Sequence, residues 1–153
     1  MSIIKKFSTG PIRAVDFQRF AIAAGDLNPI YFDANAARKA GYLGIVAPPN
    51  YVTAVQSWAA GPFDNDMRPD GFAKNYLSLE ILDKKVMGGG EELEFFEPIY
   101  DGDVLMATVR LVESYNKKTS SNKDIFVTQI ETVYVNQRGQ QVLVCNTTIL
   151  FSD

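Results

Sequence analysis

Apolar residues recur at helical spacing near the start of the chain. A first helix is predicted to begin after Asp16, which is a suitable N-cap, and to end at Gly25. The apolar positions on its inner face are Phe17, Phe20, Ala21 and Ala24. A short opening strand is predicted over Ser2 to Thr9, before Gly10-Pro11. The helix therefore leads directly to Asp26.

Two further helices are predicted before the middle of the chain. The segment Asp33 to Ala40 is rich in alanine and ends at Gly41, and Asn50 to Ala60 follows the pair Pro48-Pro49. The third helix carries small and apolar residues around most of its circumference: Val52, Ala54, Val55, Trp58 and Ala59. A helix that is apolar on nearly all sides is buried, so we expect a sheet to surround it.

Beyond Gly71 the apolar period changes to two residues, which is typical of β-strands. The predicted strands lie around Leu77 to Leu82, Glu91 to Phe96, Val104 to Tyr115, Asp124 to Val135 and Gln141 to Phe151. Turns are predicted at Gly88 to Gly90, Pro98 to Asp103, Asn116 to Lys123 and Asn136 to Gly139. Strands joined by such turns favour an antiparallel meander. Helices followed by antiparallel strands predict an α+β fold in a single domain over residues 1–153.

The strand that begins at Asp124 has two semi-apolar faces. One face carries Phe126, Thr128, Ile130, Thr132 and Tyr134. The other face carries Val127, Gln129, Glu131, Val133 and Val135. We expect one face to lie against the buried helix and part of the other against solvent or a partner.

The composition limits the compartment and the partners. The chain has 153 residues and a formal net charge of −3, so it lacks the basic field that a nucleic-acid partner requires. Because no apolar run follows Lys5 and Lys6, we expect neither a signal peptide nor a membrane anchor. The single cysteine, Cys145, cannot form an intrachain disulfide and is predicted to be a small buried group. We therefore expect a cytoplasmic protein whose partners are small molecules or proteins.

The chain contains no histidine. Histidine is the commonest general acid or base near neutral pH, so triads and dyads that need an imidazole cannot be built from this chain alone. Without histidine, a single cysteine leaves no zinc-type ligand cluster, and we expect no metal. The two carboxylates of one turn, Asp101 and Asp103, are expected to be solvated rather than to bind a cation.

Three motifs in a fixed order resemble a known family. The run Gly25-Asp26-Leu27-Asn28-Pro29-Ile30-Tyr31 is similar to the hydratase motif of the MaoC-like dehydratases, Gly-Asp-x-Asn-Pro-hydrophobic-His. The second motif is Ala47-Pro48-Pro49-Asn50-Tyr51, and the third joins Met87 to Glu91 with Pro98 to Asp103. The resemblance covers nearly the whole chain, and it is to the N-terminal, fungal-fatty-acid-synthase-like branch of that family.

The resemblance implies a hot-dog fold, in which a long antiparallel sheet wraps around one helix and the acyl chain lies between two paired subunits. It also implies (R)-specific hydration of enoyl thioesters, or dehydration of 3-hydroxyacyl thioesters, carried on coenzyme A or acyl carrier protein with no other cofactor. In active relatives an aspartate and a histidine transfer the protons. A glycine amide at the start of the central helix binds the thioester oxygen.

Two residues depart from the pattern of active relatives. Tyr31 stands at the histidine position, and tyrosine, whose pKa is about 10, is a poor base at neutral pH. Pro49 stands at the glycine position and has no backbone N–H, which leaves the N–H groups of Asn50 and Tyr51 as substitutes. Both departures affect the same reaction.

The predicted site follows from these matches. Its catalytic members are Asp26, Asn28 and Tyr31, although Asp26 also fits a helix-stop cap and Tyr31 a helix-start position. Its substrate-binding members are Pro49, Asn50, Tyr51, Gly89 and Gly90.

Three hypotheses for the function remain open at the level of sequence. The leading one is an acyl-binding, non-catalytic subunit of a hydratase complex, paired with a hot-dog partner that carries the aspartate and histidine. The second is a self-sufficient homodimeric hydratase that uses Asp26 with Tyr31 or a water. The third is a non-enzymatic binder of a hydrophobic acyl ligand.

Overall fold

The computed structural model describes residues 2–56 and 85–152. Its helices are α1 (Ala14–Ala24), a 3-10 turn (Pro29–Tyr31), α2 (Ala34–Lys39) and α3 (Tyr51–Gln56). Its strands are β1 (Ser2–Pro11), β2 (Lys85–Phe95), β3 (Val104–Lys118), β4 (Asp124–Asn136) and β5 (Gln141–Ser152). Within these two ranges, no helix is long and apolar enough to cross a membrane.

The five strands form one antiparallel sheet in the order β1-β3-β4-β5-β2. The α+β class and the hot-dog architecture are thereby confirmed. The predicted meander holds only for β3, β4 and β5. The two remaining strands, β1 and β2, come earlier in the chain and pair at opposite edges, because β1 pairs with β3 and β2 pairs with β5.

Strand β4 shows the predicted alternation of faces. Thr128, Ile130, Thr132 and Tyr134 are buried, and the residues between them are half-buried. The pattern breaks near the start of the strand, where Val127 is buried and Phe126 is 38% exposed. One face of the sheet therefore packs on the core, and the other is partly open.

The core joins the sheet to the start of α3. Tyr51 and Val52 are buried there with Phe17 of α1, and Tyr51 contacts the Phe17 ring edge-on at a centroid distance of 6.0 Å. The sheet contributes Leu105, Ala107, Tyr134, Val142 and Leu143. The predicted burial of the third helix is confirmed for its first turn. The side chains of Val55, Trp58 and Ala59, and the predicted strand Leu77 to Leu82, lie outside the described residues.

The turn predicted at Gly88 to Gly90 is wrong, since these glycines lie inside β2. Gly88 pairs with Ile149 and Gly90 with Thr148, and the register shifts between them. A Cβ on Gly89 would stand only 2.8 Å from the Thr148 Cγ2 atom. Glycine therefore permits a close approach of two strands at a bulge.

The predicted N-cap of the first helix is also wrong. The helix begins at Ala14, so Asp16 lies in its first turn, and Arg13 at the cap position offers no side-chain hydrogen bond. The Ala14 N–H instead donates to the Asp101 Oδ1 atom at 2.7 Å. A distant turn thus supplies the acceptor that the local sequence lacks.

Candidate functional site

Gly25 ends α1 in the left-handed conformation, with φ of 74°. The next residue, Asp26, donates its backbone N–H to the Ala21 carbonyl at 2.9 Å, which fixes the motif loop against the helix end. Glycine is suited to this position because a side chain disfavours positive φ. The helix stop therefore places the Asp26 carboxylate.

Both oxygens of Asp26 accept hydrogen bonds from the motif itself. Oδ1 accepts the Asn28 N–H at 3.2 Å, and Oδ2 accepts the Tyr31 hydroxyl at 3.1 Å. The Asn28 side chain in turn accepts the Ile30 N–H at 3.2 Å and caps the 3-10 turn. The structure thus brings together all three predicted catalytic residues, with Asp26 and Asn28 holding the loop.

The Tyr31 side chain is buried, with 5% of its surface exposed. Burial, and then the hydrogen bond to Asp26 and the charge of that carboxylate, raise the pKa of Tyr31 above its ordinary value. The phenol is therefore protonated at neutral pH and acts as a hydrogen-bond donor rather than as a base.

Replacing Tyr31 by phenylalanine is expected to reduce the pH dependence of stability in alkali. Because folding raises the pKa of Tyr31, its contribution is complete below about pH 10 and is lost as the pH rises through the folded-state pKa. The measurement is the free energy of unfolding in urea at pH 7 and about pH 11. The wild type should lose more between these two values than Tyr31→Phe.

Tyr51, whose pKa is also raised by burial, is common to both proteins, so its contribution cancels in this comparison. An equal loss of stability in the two proteins would contradict the prediction.

An apolar cavity of about 330 Å³ lies beside the motif loop and extends to the start of α3. Tyr31 of the motif loop lines it, as do Pro48 and Pro49 of the segment before α3. The apolar part of its wall is formed by Ile30, Val46, Ala47, Phe95, Pro98 and Ile99. Asp26 is not among the lining residues that the structure describes, so Tyr31 stands between the carboxylate and the cavity.

The start of α3 offers few donors to a thioester oxygen. The Tyr51 N–H donates to the Pro48 carbonyl at 3.0 Å, and Pro49 has no N–H. Asn50 is exposed, and its N–H has no hydrogen-bond acceptor within residues 2–56 and 85–152. Of the two predicted substitutes, the Tyr51 amide is occupied and the Asn50 amide remains.

The remaining predicted substrate-binding residues lie elsewhere. The Tyr51 side chain is buried in the core, where Phe20 also contacts its ring at 5.8 Å. Gly89 and Gly90 lie in the edge strand β2 and do not line the cavity. Neither glycine is therefore placed to contact a ligand in this cavity.

The expectation that Asp101 and Asp103 are both solvated is wrong for Asp103, which is 4% exposed. Its carboxylate accepts the Tyr100 N–H at 2.9 Å and the Gln137 side-chain amide at 2.7 Å. The Arg138 guanidinium lies 3.8 Å away. Within the described part of the chain, no group of three or more metal-ligating side chains is found.

The turn that Asp103 holds is bonded to the segment that precedes α3. Ala47 donates its N–H to the Ile99 carbonyl at 2.9 Å, and Val46 pairs with Tyr100. Sequence reasoning missed that this turn positions one wall of the cavity. The sequence did contain an indication that this turn matters, because the third motif ends at Asp103.

Cys145 is buried, as predicted. Burial raises the pKa of its thiol to about 11, and Thr147 lies within 3.3 Å of the sulfur. The thiol is therefore protonated at neutral pH and unsuited to nucleophilic attack.

The fold and the motif loop beside an apolar cavity define a hot-dog chain of the MaoC-like dehydratase type. Residues 4–144 match the family described as "FAS1-like, dehydratase domain region", and the chain belongs to this family.

Curated relatives include a Streptomyces avermitilis protein named "UPF0336 protein". It is 34% identical over 91 residues, which is 60% of this chain and 54% of that protein. A Thermomonospora curvata protein named "Probable enoyl-CoA hydratase alpha subunit" is 30% identical over 139 residues, covering 86% of this chain and 42% of that protein. The chain spans about half the length of the curated relatives it matches.

Solved structures show the same fold. The ChsH1-ChsH2 complex from Mycobacterium tuberculosis matches with a TM-score of 0.76 and 23% identity, over 97% of this chain and 83% of that chain. The HadBC (3R-hydroxyacyl-ACP dehydratase) complex from the same organism gives 0.68 and 21%, over 96% of this chain and 90% of that chain.

Proposed function

We propose that this chain is the acyl-binding, non-catalytic subunit of an (R)-specific enoyl-CoA hydratase or 3-hydroxyacyl-thioester dehydratase complex. The observation that carries the proposal is the hydrogen bond from the Tyr31 hydroxyl to Asp26 Oδ2, in a chain without histidine. A second hot-dog subunit would supply the aspartate and histidine.

Hydration of an enoyl thioester needs a base that reaches the attacking water and an acid that protonates the α-carbon. Here the phenol of Tyr31 occupies the position at Asp26 Oδ2 where such a water would bind. Because Asp26 does not line the described cavity, its carboxylate is poorly placed to act on a substrate held there. The protonated phenol cannot replace it as a base.

The developing enolate oxygen needs preorganised donors, usually backbone N–H groups. Pro49 has none, and the Tyr51 N–H is already bonded to Pro48. The Asn50 N–H is the one backbone donor that remains at this helix start among the described residues. The missing base and the reduced set of donors lie on different elements and impair the same step. This coincidence favours a site that binds without catalysing.

The cavity suits an acyl group. Its volume of about 330 Å³ lies at the lower end of the range of about 300–1,000 Å³ that is typical of small-molecule sites, and most of its wall is apolar. The proposal requires no cofactor besides the thioester itself, on coenzyme A or acyl carrier protein.

In the sheet that residues 2–56 and 85–152 form, β2 lies at one edge, and this position supports pairing with a second subunit. In β2, Val86 and Met87 are 42% and 46% exposed and Phe95 is 47% exposed; Phe96, just after the strand, is also 47% exposed. A long edge strand with exposed apolar side chains invites pairing with another strand. The complexes to which the fold is similar support the same arrangement.

The direct test is to purify the chain alone and together with candidate histidine-bearing hot-dog partners, and to follow hydration of enoyl-CoA substrates. We expect turnover only in the presence of a partner. Full activity of the lone chain would contradict the proposal.

The hydrogen bond between Tyr31 and Asp26 also allows a second candidate function, a homodimeric hydratase in which Asp26 is the base. Asp26→Asn and Tyr31→Phe distinguish the two in any preparation that shows turnover. A non-catalytic role predicts nearly unchanged turnover in both folded variants. A catalytic role predicts a loss of about 10²-fold or more.

A further inference from the structure

Glu97, directly after β2, is the charged residue among the described residues that line the cavity. The N–H groups of Phe96 and Glu97 both point at the Val142 carbonyl, at 2.9 and 3.4 Å. Phe95 and Glu97 line the cavity, and Phe96 does not. Glu97 lies in a bend just after β2 and is exposed, so it borders the cavity where the cavity meets solvent.

The rest of the described cavity wall carries no charge. It consists of apolar residues and the two phenols of Tyr31 and Tyr42. Within residues 2–56 and 85–152, Glu97 forms no ion pair. Its negative charge is therefore not offset by a described cation, and a ligand in the cavity encounters it.

We propose that Glu97 is a specificity-determining residue that lets the cavity accept an uncharged acyl group and reject one with an anionic substituent. The inference rests on the proposed acyl-binding function and names the class of acyl group. Two negative charges in a mostly apolar cavity repel each other, and the anionic group also loses its hydration there. Because Glu97 is exposed, salt should weaken the discrimination.

The test uses the full chain and two thioesters of N-acetylcysteamine, pentanoyl and 4-carboxybutanoyl. They differ only in a carboxylate that replaces the terminal methyl group, and their acyl chains are short enough for a cavity of about 330 Å³. Affinities are measured by NMR titration at low and high salt. We expect the wild type to bind the pentanoyl thioester about tenfold more tightly, and this preference to shrink at high salt.

Glu97→Gln is expected to raise the affinity for the 4-carboxybutanoyl thioester, relative to that for the pentanoyl thioester, about fivefold to tenfold. Glu94→Gln is the matched control, because Glu94 is an exposed carboxylate of β2 that does not line the cavity. Glu94→Gln should prefer the pentanoyl thioester by the same factor as the wild type.

The outcomes separate this inference from the function on which it rests. If the wild type binds both thioesters equally, or if Glu97→Gln keeps the wild-type preference, the role of Glu97 is overturned and acyl binding stands. If neither thioester binds, the proposed acyl-binding function is overturned, and this inference with it.

Discussion

Replacing Tyr31 by histidine and Pro49 by glycine in one chain is expected to give the isolated protein a hydratase activity at least about 10³-fold above that of the wild type. The imidazole is shorter than the phenol whose oxygen lies 3.1 Å from Asp26 Oδ2, so it leaves space for a water beside that carboxylate. Glycine restores a backbone N–H at the edge of the cavity. The measurement is the initial rate of enoyl-CoA hydration.

Each single variant is expected to recover much less than the double variant. Tyr31→His supplies proton transfer but leaves the enolate oxygen without the N–H at position 49. Pro49→Gly supplies that N–H, but the Tyr31 hydroxyl still donates to Asp26 Oδ2. Groups that act on one transition state are strongly non-additive. A gain that requires both changes would therefore identify two missing parts of one site.

Two controls test the origin of any gain. Tyr42→His places an imidazole on the wall of the same cavity without the hydrogen bond to Asp26, and should add no activity. Adding Asp26→Asn to the double variant should abolish its activity. A folded double variant that is as inactive as the wild type would contradict the prediction.

The local parts of the fold could be predicted because they depend on nearby residues. The period of two in β4 follows from burial of one face, and the end of α1 follows from Gly25. The order of the sheet could not, because the pairing of β1 with β3 joins residues about one hundred positions apart. The glycines of β2 led to the prediction of a turn because the sequence does not show their close contact with Thr148 on the neighbouring strand.

In the candidate site, too, the local part could be predicted and the tertiary part could not. The spacing of Asp26, Asn28 and Tyr31 placed them on one loop, and the structure has them hydrogen-bonded there. The cavity could not be predicted, since its wall combines the motif loop, the segment before α3 and the end of β2. Glu97 was not predicted as a site residue because it lies in none of the three motifs. It joins the site only because the end of β2 packs beside the motif loop at the cavity wall.

Replacing Asp103 by alanine is expected to lower the free energy of unfolding by about 2–4 kcal/mol, because two donors would lose a buried charged acceptor. The Tyr100 N–H and the Gln137 amide both donate to this carboxylate, which is 4% exposed. Asp103→Asn keeps one acceptor oxygen and should have an intermediate effect. The measurement is urea unfolding at neutral pH.

Asp124→Ala is the matched control for this prediction. Asp124 pairs with Lys118 at 3.1 Å, but the two side chains are 70% and 59% exposed, so its loss should cost less than about 0.5 kcal/mol. Equal destabilisation by Asp103→Ala and Asp124→Ala would contradict the assigned role.

The same substitution should also weaken acyl binding. Asp103 fixes Tyr100, and the adjacent Ile99 carbonyl accepts the Ala47 N–H, so the turn and the segment before α3 are held together at the cavity wall. If the turn relaxes, the wall formed by Ile99 and Ala47 should lose its fixed spacing. We therefore expect Asp103→Ala to lower the affinity for the pentanoyl thioester, measured by NMR titration below the unfolding transition, and Asp124→Ala to leave it unchanged.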